Sequence, residues 1–309
     1  MTATQEPGSY DLDALRSRVL PHSEGVVDDS IPSLAEADPG LCAVALALPD
    51  GTVRGSAHAD TAFTMQSSVK PFLFALALLD TGGDALHRVG IEPTGEAFDA
   101  IKLESGTGRP PNPMVNAGAL LTASLVDGDD VEARSDRILQ GLSAFAGHPL
   151  EIDERTAEEE REHGERNHAL AHLMRAEDTL EVTADDAVEV YGRACAVLVD
   201  VEALAVMGAT LAFGGVNPVT RERVVPASVA RDVVSVMATC GVYDGSGTWM
   251  QRAGVPAKSS VSGAIVLAAP RRLGAAVLSP PLDDQGTSVR GRIASEMLSD
   301  DLGLHVFAT

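Results

Sequence analysis

Residues 63–79 read FTMQSSVKPFLFALALL, an apolar run whose head carries Gln66, Ser67, Ser68 and Lys70. Pro71 lacks an N–H and its ring clashes with a helical carbonyl four residues back, so it is tolerated only in a first turn. The spacing therefore predicts a helix that starts near Ser67 or Ser68. Ser67 and Lys70, three residues apart, then share one face with Cβ atoms about 5–6 Å apart. A lysine at the positive end of a helix, and partly desolvated, has its ammonium form disfavoured on both counts. Such an amine can accept a proton, and a serine hydroxyl is a weak nucleophile until a base of this kind stands beside it. The chemistry this pair could do is nucleophilic acyl transfer. The bland alternative is a serine N-cap followed by a lysine that snorkels to solvent, and Ser-x-x-Lys taken singly is weak.

Scarcity adds weight. The sequence has only three lysines, Lys70, Lys102 and Lys258, and the last stands in PAKSSVSG. That segment has the Lys-Ser/Thr-Gly flavour of serine acyl-transfer enzymes, in which a strand beside the nucleophile presents a lysine and backbone N–H groups.

Elements must bring these segments together. Residues 41–49, LCAVALALP, are a β-compatible run that meets the turn Pro49-Asp50-Gly51 and continues as TVRGSA, a hairpin pattern. SGAIVLAAP (262–270), Arg271-Arg272 and LGAAVLSP (273–280) repeat it, and VRGRIASEMLSDDLG closes as a helix ended by Gly303. Between about 67 and 240 apolar residues recur at three- and four-residue spacing, as in Val188, Tyr191, Ala194, Cys195 and Leu198. The expected class is α+β: an antiparallel sheet flanked by helices and built from both termini, with a mainly helical lobe inserted. The sheet-bearing lobe covers about 20–66 plus 241–309, the helical lobe about 67–240, in a single catalytic domain with a cleft at the seam.

Composition narrows the partners. With 309 residues, 45% of them hydrophobic, the chain can fill a substantial core, and its net charge of −22 would repel phosphate backbones and anionic membrane surfaces. No basic stretch leads into an apolar signal, and no window suits a membrane span, so the expectation is a cytoplasmic protein with a small substrate and no nucleic acid or membrane partner. Cys42, Cys195 and Cys240 are odd in number and widely spaced, as buried apolar residues would be. The run EEERE (158–162) reads as a solvated helix face. His163, His168 and His172 raise a metal site as an alternative, the last two at i and i+4, but no HExxH pattern is present.

Taken in order, QSSVKP, HRVGIEPTGEAF, NPMVNAGAL, ERN, CGVYDGSG and AKSSVSG closely resemble the serine-dependent glutaminases, which share the β-lactamase and DD-peptidase-like fold. The similarity runs from about Val26 to the last helix. It implies hydrolysis of the side-chain amide of L-glutamine, without cofactor or metal, in a homodimer or homotetramer. By the same resemblance Ser67 would be the nucleophile, Lys70 its base and Tyr243 a proton relay to the leaving ammonia, with the N–H groups of Ser67 and Val261 as oxyanion hole. Gln66, Asn116, Glu160, Asn167, Tyr191 and Tyr243 match pocket positions, Glu160 suiting the α-ammonium.

Each match has a plainer reading beside it. Asn116 could cap its helix, Tyr191 could be core, and Glu160 and Asn167 could be a surface charge and a turn asparagine, although seven residues apart they can share a face of one helix. One departure stands out: Ser30 in Asp29-Ser30-Ile31-Pro32 occupies the place of a family tyrosine. Ser68 and Ser262 are given no role. Rival readings are another serine acyl hydrolase of this fold, acting on a β-lactam or ester, and a non-catalytic or metal-binding acidic protein.

Overall fold

Each of the three inner strands of the main sheet carries only apolar residues or glycine because both of its faces are covered, and alternate residues feed two different cores. A computed structural model describes residues 5–95 and 100–308. Strand β1 (Ala43–Ala47) sends Ala43, Ala45 and Ala47 to one hydrophobic core and Val44 and Leu46 to the other. After β2 (Val53–Gly55) and the short β3 (Phe63–Thr64), β4 (Glu151–Ile152) and β5 (Val197–Val199), the chain completes the sheet with β6 (Ala257–Ser259), β7 (Ala264–Ala269) and β8 (Leu273–Leu278). The five-stranded sheet has the order β2-β1-β8-β7-β6 and is antiparallel throughout, with Ala45 opposite Ala276 and Leu267 opposite Ala275.

One face packs on the Val201–Ala212 helix and the other on the Leu12–Val19 and Val289–Leu302 helices. The first contact is close enough to require glycine: a Cβ on Gly274 would lie 2.1 Å from the backbone N of Ala209. Both expected hairpins are present, with Gly51 and Arg271 in the left-handed region at their turns. The last helix ends at Gly303, φ +62°, as expected.

The segment 67–240 is mainly helical among its described residues, but β3, β5 and β4 form a second, three-stranded sheet that the periodicity did not suggest. Pieces of two or three residues are too short to show a period. A tight 3₁₀ turn, Gln66–Val69, leads without a break into the Lys70–Asp80 helix. The α geometry thus sets in at Lys70 rather than at Ser67, because Ser68 N donates to Met65 O and Lys70 N to Ser67 O in three-residue steps. Every residue from Lys70 to Leu78 is buried. Among the described residues no helix is long and apolar enough to cross a membrane.

Candidate active site

The chain reaches Ser67 through a strained corner. Gln66 follows β3 with φ +47°, and Tyr243 opens its own 3₁₀ turn with φ +53°. A non-glycine residue held in the left-handed region costs on the order of 1–3 kcal/mol and persists where its surroundings over-determine it. The corner divides the two serines. Ser67 lines a cavity, whereas Ser68 donates its hydroxyl to Met65 O at 2.6 Å, a local bond that agrees with its having no assigned role.

Beneath Ser67, Lys70 is fully buried and donates Nζ to Asn116 Oδ1 at 2.7 Å. Asn116 Nδ2 in turn donates to Asn167 Oδ1 at 3.0 Å. A relay of hydrogen bonds therefore runs from the amine to the cavity wall. Asn116 is the first residue of the Asn116–Ser124 helix and Val115 holds the cap position, so the capping alternative fails. Lys258, on β6, is also fully buried, with Nζ donating to Ser259 O and lying 3.8 Å from the centroid of the Tyr243 ring. Lys70 Nζ is 5.6 Å from the same centroid. Burial, and then the neighbouring Lys70 charge, push the Lys258 amine well below the usual lysine range.

Gln66, Ser67, Asn116 and Val261 line one cavity of about 250 Å³. Glu160, Asn167 and Tyr191 line it as well. Tyr243 does not line this cavity; it stands between two neighbouring ones of about 390 and 460 Å³, with its ring next to both lysines. Burial pushes the Glu160 carboxyl up to about 7; a hydrogen bond from Gln66 pulls the other way, Asp28 adds to the rise, and Lys70 opposes it. Burial likewise holds the Tyr191 phenol well above its ordinary value, so it stays protonated.

Glu160 and Asn167 do not share one helix. The chain breaks at His163-Gly164, between the Glu154–Glu162 and Glu165–Ala176 helices, yet both residues face the cavity. Gly164 permits the break: a Cβ there would sit 2.6 Å from Glu160 O. The run EEERE is likewise more than a solvated face, since its Glu160 faces the cavity and its Glu159 accepts a bond from Ser33 N.

Sequence reasoning passed over several cavity residues. Asp28 and Ile31 come from an irregular segment with no period to read, beside Ser30, which also lines the wall and donates its hydroxyl to Asp28 Oδ1. Cys195 is four residues after Tyr191 on the same helix face, a spacing that could have found it. His163, Glu165 and Arg166 lie at the helix break. His168 instead faces Asp185 at 3.5 Å, and among the described residues no three His, Cys, Asp or Glu side chains are grouped to hold a metal ion. The Glu96–Phe98 end of HRVGIEPTGEAF lies outside the described residues.

The chain is similar to known proteins over nearly its whole length. The family model described as Glutaminase matches residues 25–307. A glutaminase of Clavibacter michiganensis subsp. michiganensis is 68% identical over 306 residues, covering 99% of this chain and 94% of that protein. A glutaminase of Trichormus variabilis is 44% identical over 297 residues, covering 96% and 89%. Among solved structures, Mglu in its glutamate form superposes with a TM-score of 0.92 at 44% identity, covering 96% of this chain and 69% of that one. The probable glutaminase ybaS superposes with a TM-score of 0.92 at 36% identity, covering 99% and 100%. The antiparallel sheet flanked by helices is thus of the β-lactamase-like fold. With the match unbroken from before the Asp28 wall to beyond the last helix, the chain belongs to the glutaminase family.

Proposed function

We propose that this protein hydrolyses L-glutamine to L-glutamate and ammonia through a γ-glutamyl ester of Ser67. The observation that carries the reading is the bond from fully buried Lys70 to Asn116, continued to Asn167 at the wall of the cavity that Ser67 lines. A desolvated amine beneath a serine that opens a helix is the arrangement that lets the hydroxyl attack.

In the first half, Ser67 Oγ attacks the δ-carbonyl carbon while Lys70 Nζ takes the hydroxyl proton. The C–N bond breaks as a proton passes to the amide nitrogen by way of Tyr243, and ammonia leaves. In the second half water attacks the ester, its proton returns through the same groups, and glutamate is released. The backbone N–H groups of Ser67 and Val261 hold the oxyanion, a contribution of about 10²–10³ per donor. Glu160 takes the α-ammonium, and Gln66, Asn116, Asn167 and Tyr191 the carboxylate and amide. As written, the reaction needs neither cofactor nor metal. Substrate would sit at the seam of the sheet-bearing and helical lobes. Family membership supports a homodimer or homotetramer, and the three buried free thiols agree with a reducing, cytoplasmic setting.

The test is ammonia release from glutamine, asparagine and a chromogenic β-lactam by the wild type and Ser67→Ala side by side. The wild type should act on glutamine, and the variant should lose about 10⁴-fold or more of that activity while keeping its fold. Faster turnover of the β-lactam, or undiminished activity in Ser67→Ala, overturns the reading.

A further inference from the structure

The wall of the cavity opposite the helical elements is a strap, residues 22–39, whose only regular piece is the short turn Pro32–Ala35. Its middle supplies Asp28, Ser30 and Ile31 to the cavity. Four contacts hold it from the sides: paired backbone bonds join Val26 and Leu282, Ser33 N donates to Glu159 Oε2 at 2.8 Å, Thr156 Oγ1 donates to Ser33 Oγ at 3.2 Å, and Glu36 pairs with Arg155.

Both ends of the strap converge on one side chain. Arg290, in the first turn of the Val289–Leu302 helix and 6% exposed, donates Nε to His22 O at 2.7 Å and Nη1 to Pro39 O at 2.8 Å. Its Nη1 also lies 3.4 Å from Ser279 Oγ. Among the described residues no carboxylate lies within ion-pair distance of it. A buried guanidinium at the positive end of a helix is unfavourable on both counts, so its placement depends on those carbonyl acceptors. A planar fork can hold two carbonyls at a fixed separation, which a single ammonium cannot.

We propose that Arg290 is a positioning residue for substrate binding: by fixing both ends of the strap it sets where Asp28, Ser30 and Ile31 stand beside Glu160. The proposal rests on the reading of this cavity as the glutamine site. It acts on the bound substrate and not on the Ser67–Lys70 pair, which belongs to other elements.

The experiment compares the wild type, Arg290→Met and Arg290→Lys by steady-state ammonia release and by amide hydrogen exchange of the substrate-free protein. Arg290→Met should raise KM for glutamine about tenfold or more with kcat within about threefold, as two charge-assisted bonds are lost. Exchange should quicken in residues 23–38 and stay unchanged in the Lys70–Asp80 helix. Arg290→Lys keeps the charge but reaches one carbonyl at a time, and should fall between. Unchanged KM and strap exchange in Arg290→Met overturn the proposal. So does wild-type behaviour of Arg290→Lys, which would mean that charge alone matters. So too does a uniform rise in exchange with kcat and KM changing in parallel, the mark of a merely structural staple. If the wild type does not hydrolyse glutamine, the reading of the cavity fails, while strap exchange still reports whether Arg290 clamps it.

Discussion

The floor of the cavity and its rim are built from opposite materials. The floor lies in the core: Ser67 sits in the 3₁₀ turn ahead of a helix buried from Lys70 to Leu78, Lys70 and Lys258 are fully buried, and Ser260 Oγ, just past β6, donates to Met65 O at 2.9 Å, tying the two segments together. The rim stands nearer the surface, although Glu160 is itself buried enough to raise its carboxyl. Glu160, Arg166 and Asn167 belong to two helices rich in charge, His163 to the break between them, and Asp28 and Ser30 to the irregular strap. An amine that must accept a proton near neutral pH has to be desolvated, and only a packed floor does that. A rim that recognises a small zwitterion needs polar groups that water can reach until the substrate replaces it. Substitutions in the floor should therefore act on kcat, and those in the rim on KM.

The sharpest test of this division is Lys70→Met. It should lower kcat by about 10²–10⁴ with KM nearly unchanged, the usual share of a general base. A variant that lost only affinity would move Lys70 to the recognition side and break the comparison. Lys258→Met tests what the floor costs. Because the folded-state pKa of Lys258 is depressed, the unfolded chain binds more protons than the native one between that value and about 10.4. The burden of the buried ammonium is present in full below the window and is lifted as pH rises through it. The variant should thus melt above the wild type at neutral pH, with the gap in Tm closing towards pH 10, even as its kcat falls. An equal gap at all pH values would mean that packing, and not charge, is being read.

The same division decides what could be read in the sequence. Floor elements announce themselves: Pro71 fixes where the helix after Ser67 can begin, the short turns at 49–51 and 271–272 fix the hairpins, and Gly303 ends the last helix at φ +62°. Lys258 was conspicuous by rarity, although its place against the Tyr243 ring is a tertiary fact. The rim is less legible. The spacing of Glu160 and Asn167 suggested one helix, and the glycine at 164 that breaks it was the overlooked sign. Asp28 and Ile31 sit in a strap held by contacts to Leu282, Glu159 and Arg290, none of which a local pattern encodes.

On the rim, Glu160→Gln should raise KM for glutamine by about 10–10²-fold and leave kcat within a few-fold, because a charge-assisted bond to the ammonium becomes a neutral one. The pH profile separates this from simple damage. With the Glu160 carboxyl raised to about 7, wild-type kcat/KM should fall as pH drops below that value and the carboxylate is protonated. The variant should lack that limb. Stability has its own sign: the native protein binds more protons than the unfolded chain between 4.5 and about 7, so wild-type stability declines as pH rises through that window. Glu160→Gln should gain in Tm relative to the wild type over the same range. A low-pH limb that survives in the variant would assign the titration to another group.

The smallest effect is expected at Ser30, and it bears on the rim alone. The serine hydroxyl donates to Asp28 and so turns along the strap. A tyrosine, the residue that the resemblance would place here, would extend a ring and a hydroxyl donor from the same wall, adding one hydrogen bond and some shielding from water. One such bond is worth about 1 kcal/mol, so Ser30→Tyr should lower KM about fivefold with kcat unchanged. Glutamate binding by calorimetry should tighten in the same proportion, since product and substrate share the ammonium and α-carboxylate that the rim is proposed to hold. A change in kcat with constant KM would show that the strap reaches the reacting atoms, and the separation of floor from rim would have to be redrawn there.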